Sequence, residues 1–247
     1  MALGAFMAAP DPPPTPSAGA LPAGPGGTGP TLPASAPTRI DIDAIDVHAP
    51  VEAAGVDDRG EVVVPPLTSP HLANWYKLGA APGEAGNAVI LGHVDSRKVG
   101  AAVFYDLGRL KAGALVDVTR ADGIVAVFKV DGVALYQKAS FPVDTVYGPN
   151  ARAGLRLVTC GGAFDARTHN YAGNTVVAAT LVSWHRAGAA DLAAPLRTFI
   201  PELPPPPKAS PTKKAAPKPA PAAKPKATKK AKATRKPAPK ASPTRKR

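Results

Sequence analysis

The stretch Leu155-Arg156-Leu157-Val158-Thr159-Cys160-Gly161-Gly162 decides how this chain is read. It is a short apolar run of strand character that ends on the only cysteine in 247 residues. Two glycines follow, so the backbone can turn sharply just past the sulfur. A lone thiol at a strand end beside a flexible turn suits nucleophilic chemistry. Lone cysteines are more often small core hydrophobes, so the stretch needs a partner before it implies a reaction. Val89-Ile90-Leu91-Gly92-His93-Val94-Asp95-Ser96 offers one. It is a second apolar strand, and it delivers an imidazole into a polar loop.

Working outward, short strand-like segments fill the middle of the chain. Arg39-Ile40-Asp41-Ile42 alternates polar and apolar residues, as a half-buried strand does. Val47 to Val56 continues in extended fashion, with Pro50 suiting an edge. Glu61 to Val64 reads as another strand, stopped by Pro65-Pro66, and Asn74-Trp75-Tyr76 lies in a turn-rich region. Asn87 to His93 is continuously apolar, as expected of a strand covered on both faces. Val103, Phe104, Leu107 and Leu110 fall near one face of a weak helix. Leu115 to Arg120 and Gly123 to Val130 form a hairpin around Ala121-Asp122-Gly123, and Asp131-Gly132 should break its second strand before Val133 to Gln137. Phe141 to Tyr147 reads as a connection or short helix. Leu155 to Thr159 and Thr175 to Trp184 are the last strands. About eight short strands with little helix predict an all-β, closed eight-stranded barrel with short helices.

The ends differ in kind. Residues 1–36 are rich in Pro, Ala and Gly and are expected to be a disordered linker; residues 187–247 become Lys/Ala/Pro-rich and are expected to be a disordered basic tail. That leaves one domain over residues 37–186. The chain carries 30 Lys+Arg and 18 Asp+Glu, a net +12, yet residues 208–247 hold 15 of the bases and no acid. Everything before Lys208 therefore has 15 bases against 18 acids, a net of −3. The basic character belongs to the tail and says nothing about the domain. Met1 to Ala9 is apolar but short, with no basic flank, and fits the remnant of a signal or anchor that starts upstream. No apolar run reaches the roughly 20 residues that cross a bilayer.

A cysteine nucleophile works as its thiolate, and a nearby imidazole can generate that form and later protonate a departing amine. Of the five histidines, His93 stands at a strand end after a glycine, and His169 lies in the loop past Cys160. Acyl transfer also requires donors for the oxyanion. Arg167 is the first arginine after Cys160, and Arg156 shares the face of Val158 and Cys160 by alternation. No Cys/His cluster has zinc-ligand spacing, no glycine loop fits a phosphate or dinucleotide, and no GxSxG elbow is present. No cofactor and no metal are expected.

Several blocks together resemble class F sortases of actinobacteria. They are Asn74-Trp75-Tyr76, Pro82 to Ser96 with its Gly-His-Val-Asp-Ser, Val103-Phe104-Tyr105-Asp106-Leu107, Val146-Tyr147-Gly148, and Leu155 to Asp165 with its Val-Thr-Cys-Gly-Gly, followed by Tyr171 and Asn174. The resemblance spans about Pro37 to Trp184. It implies a sortase β-barrel with a Cys-His-Arg site that cleaves a Leu-Pro-x-Thr-Gly-type sorting signal between Thr and Gly. Cys160 would form a thioester and His93 would protonate the leaving amine. An amine acceptor of the cell wall, or water, would release the acyl group. Thr159 stands where the family has a threonine that helps shape the substrate site. The family's arginine is expected near the start of the last strand, where this chain has Ala172-Gly173-Asn174; Arg167 is the best remaining candidate and Arg156 the fallback. The implied partners are surface-protein sorting-signal peptides and the wall acceptor, and the implied location is extracytoplasmic, at the cell surface or membrane.

Two other readings compete. The barrel could be a catalytically weak scaffold for the tail, which would contact anionic polymers or lipids by counterion release, with no specific nucleic acid expected. An L,D-transpeptidase-like enzyme is the other, but Thr159-Cys160-Gly161-Gly162 lacks that family's Ser-His-Gly-Cys pattern.

Overall fold

In the computed structural model, residues 12–16, 20–22, 26–96, 100–193 and 196 are described. Among these residues ten strands form in chain order: β1 (Pro37–Ile42), β2 (Val47–Ala54), β3 (Ala73–Tyr76), β4 (Gly86–Gly92), β5 (Asp95–Ser96), β6 (Gly100–Ala101), β7 (Leu115–Arg120), β8 (Ile124–Gln137), β9 (Ala153–Asp165) and β10 (Asn170–Arg186). Among the described residues, two short α-helices, α1 (Val143–Tyr147) and α2 (Ala189–Ala193), and three short 3₁₀ helices join or follow them. Eight strands close a barrel in the order β1-β2-β3-β4-β9-β10-β8-β7, while β5 and β6 make a separate two-stranded ribbon. The expected all-β barrel with short helices is the observed fold.

Most neighbours are antiparallel, as short connections require, but β2 runs parallel to β3 and β4 runs parallel to β9. The barrel interior is filled from every strand, with Ile40, Ile42, Ile90, Phe128, Leu155, Leu157, Val177 and Leu181 almost wholly buried. Phe104 and Leu107, on the face expected of a helix, plug it from a 3₁₀ turn at Tyr105–Arg109. A second apolar layer lies outside the barrel wall. There Val89, Leu91, Val158 and Val176 pack under Val146 of α1 and beside Tyr76, Tyr136, Phe141 and Tyr147. β4 is thus covered on both faces, which accounts for its unbroken apolar sequence.

Several local expectations change. Glu61 to Val64 forms only an isolated bridge between Val56 and Val62 rather than a strand. Its backbone is used instead to cap the loop, with Asn74 donating to Val63 O. Ala73–Tyr76 is a strand, paired to both β2 and β4. β2 is not an edge: Pro50 is tolerated because the β1 ladder ends there and the β3 ladder begins at Val51. β8 runs through Asp131-Gly132, absorbing the irregularity as a register shift against Ala178/Ala179 of β10. β9 and β10 extend well past their predicted ends as one long hairpin.

The described parts of the N-terminal segment lie against the barrel. Leu32 N–H donates to Gly83 O at 2.7 Å, and Leu21 N–H donates to the Tyr136 hydroxyl at 2.8 Å. The basic residues from Lys208 onward lie outside the described residues.

Arg120 anchors the segment. Its fully buried guanidinium donates to Pro82 O at 2.6 Å and Pro33 O at 2.8 Å and pairs with Asp122 at 2.5 Å. A buried cation is tolerated only when its donors are satisfied, and truncation leaves two carbonyls short of partners. Arg120→Met is expected to cost about 3 kcal/mol of folding stability, measured as a lowered urea midpoint.

Candidate functional site

β4 and β9 run in the same direction, with Val89 opposite Arg156, Ile90 opposite Leu157 and Leu91 opposite Val158. Neighbouring strands lie about 4.8 Å apart. Two residues further along each chain come His93 and Cys160. The parallel register therefore brings the imidazole and the thiol, 67 residues apart in sequence, to the same end of adjoining strands. Alternation puts Cys160 on the outer face with Val158, and the cysteine is half-buried rather than sealed inside the barrel.

His93 is held at both ends. Its carbonyl accepts from Phe104 N–H at 3.0 Å, and Phe104 is rooted in the barrel core. Its ring Nε2 lies 2.6 Å from Pro65 O. A carbonyl oxygen only accepts, so Nε2 carries a hydrogen there and Nδ1 is left to exchange a proton. Gly92 permits this arrangement: a Cβ at that position would lie 2.5 Å from Val103 Cγ1 and 2.6 Å from Phe104 Cδ2.

On the other side of Cys160, β10 places Asn174 directly opposite it, and Gly173 opposite Gly161. β8 continues the row with Tyr136 opposite Asn174 and Gln137 opposite Gly173. Past Cys160, Gly162 adopts φ +80° and the β9–β10 register slips by one residue, a bulge that bends the hairpin. Beyond it the Tyr171 hydroxyl donates to Asp95 Oδ2, tying the ribbon after His93 to the last strand. Burial, then this hydrogen bond to Asp95, hold the Tyr171 hydroxyl well above its ordinary pKa.

Burial pushes the Cys160 thiol up; the Lys138 ammonium counters that, and the Asp95 carboxylate adds to it. Lys138 follows β8 and donates to Asn170 Oδ1 at 2.6 Å. Sequence reasoning missed both Lys138 and Asn174 as neighbours of the thiol. Only the register of three strands reveals them.

The arginines are placed differently. Arg167 sits in the turn at the tip of the β9–β10 hairpin, exposed, with its N–H on Asp165 Oδ1 at 2.8 Å. Between it and Cys160 lie five residues of strand, about 17 Å of extended chain, so the ladder does not bring the two together. Arg156 does share the outer face, but its guanidinium donates to Thr145 O and Leu155 O, and burial lowers its pKa. Thr159 points by alternation away from Cys160, opposite Thr175, and its buried hydroxyl has no partner among the described residues. His169 is in the hairpin turn with φ +55°. Among the described residues, no group of three or more His, Cys, Asp or Glu side chains could hold a metal.

A family model described as "Sortase domain" matches residues 40–182. No curated protein sequence matches significantly. Among solved structures, sortase A of Listeria monocytogenes is similar with a TM-score of 0.50 at 14% identity, covering 65% of this chain and 97% of that one. A Sortase D5 transpeptidase of Clostridium perfringens gives 0.44 at 19% identity, over 60% and 79% of the two chains. Sortase C-1 of Actinomyces oris gives 0.46 at 20% identity, over 59% and 73%. The Listeria likeness supports the barrel fold.

The charges around the thiol predict a pH profile. Alkylation of Cys160 by iodoacetamide should still be rising with pH above the ordinary thiol value of about 8.5. Asp95→Asn should move the profile to lower pH and Lys138→Met to higher pH, read as rate against pH.

Proposed function

From the premise that this chain belongs to the sortase family, we propose that it is a class F cysteine transpeptidase cleaving a Leu-Pro-x-Thr-Gly-type signal between Thr and Gly. The observation that supports the reading is the parallel β4–β9 register, which points His93 and Cys160 toward the same end of adjoining strands.

The steps follow from what each group can do. The Cys160 sulfur attacks the Thr carbonyl carbon, and the C=O pair moves onto oxygen. Collapse of that intermediate breaks the C–N bond and leaves a thioester on Cys160. His93, protonated by then, gives its proton to the departing Gly amine. A thiol raised in pKa by burial is mostly neutral at pH 7, so His93 must take the sulfur's proton as attack occurs. An acceptor amine of the cell wall, or water, then attacks the thioester, returns a proton to His93 and frees the sulfur.

The substrate lies along the outer wall. Val89, Leu91, Val158 and Val176 are buried there, and the half-buried Tyr76, Tyr136, Phe141 and Tyr147 packed against them offer an apolar floor. Such a floor suits the Leu-Pro end of the signal. The chain's own Leu21 rests on it, so a peptide displaces that side chain on entry. Thr159 shapes the site from behind the strand. For the oxyanion the family pattern calls for a basic residue, and Arg167, the candidate in this chain, stands at the hairpin tip.

Sortases work outside the cytoplasm or at the membrane, and the implied partners are surface proteins bearing sorting signals. Among the described residues, no helix is long and apolar enough to cross a membrane. The basic tail adds a salt-screened contact with anionic polymers or lipids at that location.

Cys160→Ala and His93→Ala are expected to abolish cleavage of a fluorogenic Leu-Pro-x-Thr-Gly peptide while leaving the circular dichroism spectrum unchanged. Cleavage retained by Cys160→Ala would end the reading. Leu21→Ala is expected to lower KM for the same peptide by up to roughly tenfold, the worth of one buried aliphatic side chain, with kcat little changed.

A further inference from the structure

We propose that the side-chain amide of Asn174 is the oxyanion donor of this site, in the position where a sortase is expected to present a basic residue. The inference rests on Cys160 being the acylated nucleophile.

Residues directly opposite in an antiparallel pair share a face, with Cβ atoms about 4.5–5.5 Å apart. Asn174 stands in that relation to Cys160. Its backbone is fixed from both sides, by Cys160 of β9 and by Tyr136 of β8. It sits in the middle of the wall, and its side chain is half-buried. Neither amide atom has a hydrogen-bond partner among the described residues, although an amide carries two N–H donors. The negative oxygen of a tetrahedral intermediate forms two bonds from the sulfur, within reach of a donor one strand away.

The competing groups are engaged or distant. The Lys138 ammonium is bound to Asn170 and acts on the thiol through its field. Arg156 is four residues back along β9 and spent on two carbonyls. Arg167 is at the hairpin tip. A neutral amide also matches a thiol that burial keeps protonated at rest. A guanidinium at the same spot would instead favour the resting thiolate. Asn174 thus stabilises charge only as it develops, which is what lowers a barrier rather than strengthening binding.

The test separates acylation from alkylation in the full chain. p-Nitrophenyl acetate acylates Cys160 through a tetrahedral oxyanion, releasing p-nitrophenolate and leaving an acetyl thioester. Iodoacetamide alkylates the same sulfur by displacing iodide, with no oxyanion formed. Asn174→Ala and Asn174→Val, the latter a strong strand former, should each lower the acylation rate by about 100-fold, the usual cost of an oxyanion donor. Alkylation and its pH profile should stay within threefold, which also shows that the fold is intact. Peptide turnover by the Asn174 variants should fall in kcat with KM nearly constant. Acylation unchanged in both Asn174 variants, or alkylation falling in step with it, would overturn the proposal. If the wild-type chain is acylated as described but never cleaves the sorting peptide, the substrate reading fails while the assignment of Asn174 stands.

Discussion

β4 and β9 lie side by side and point the same way, and the positions of both reactive side chains derive from that pairing. A parallel pair cannot be closed by a tight turn; here more than sixty residues separate the partners, including the β7–β8 hairpin and α1. The entropy of closing so long a loop must be offset by burial. The two-sided apolar surface of β4 does this, with Ala88 and Ile90 facing the barrel interior and Val89 and Leu91 facing the outer layer. Those four residues seat β4 beside β9, and the chain beyond them carries His93 and Cys160 toward the same end of the wall.

The loops around the pair hold polar groups at fixed places in a wall that is otherwise apolar. Pro65 O sets the hydrogen on His93 Nε2, Phe104 ties the His93 backbone to the core, and the Asp95–Tyr171 bond fastens the following ribbon to β10. The thiol is left in a half-buried position where burial outweighs the nearby ammonium. The row His93, Cys160, Asn174, Tyr136 crosses four adjacent strands. It brings imidazole, thiol and amide to the same end of the outer wall.

Much of this could be read from residues alone. Alternation in Arg39–Ile42, the unbroken apolar run before His93 and the turn at Asp122-Gly123 each have a local cause: a half-buried face, a doubly covered face, and a glycine at φ +76°. Glu61–Val64 misled because β-branched residues before prolines fit a strand, yet no neighbour offered a ladder beyond the Val56–Val62 bridge. Ala73–Tyr76 was obscured by being only four residues long, with partners in β2 and β4 that no local pattern announces.

The sequence by itself determined the all-β class and most of the strands, and offered Cys160 and His93 as candidates, because these follow from side-chain period and from motifs held within a few residues. Tertiary structure alone decided which groups surround the sulfur. Asn174, Lys138 and Asp95 arrive through the register of separate strands and loops, and Arg167 is carried away along an extended hairpin. Such neighbours depend on pairings between distant segments, set by the burial of the whole barrel rather than by any local preference.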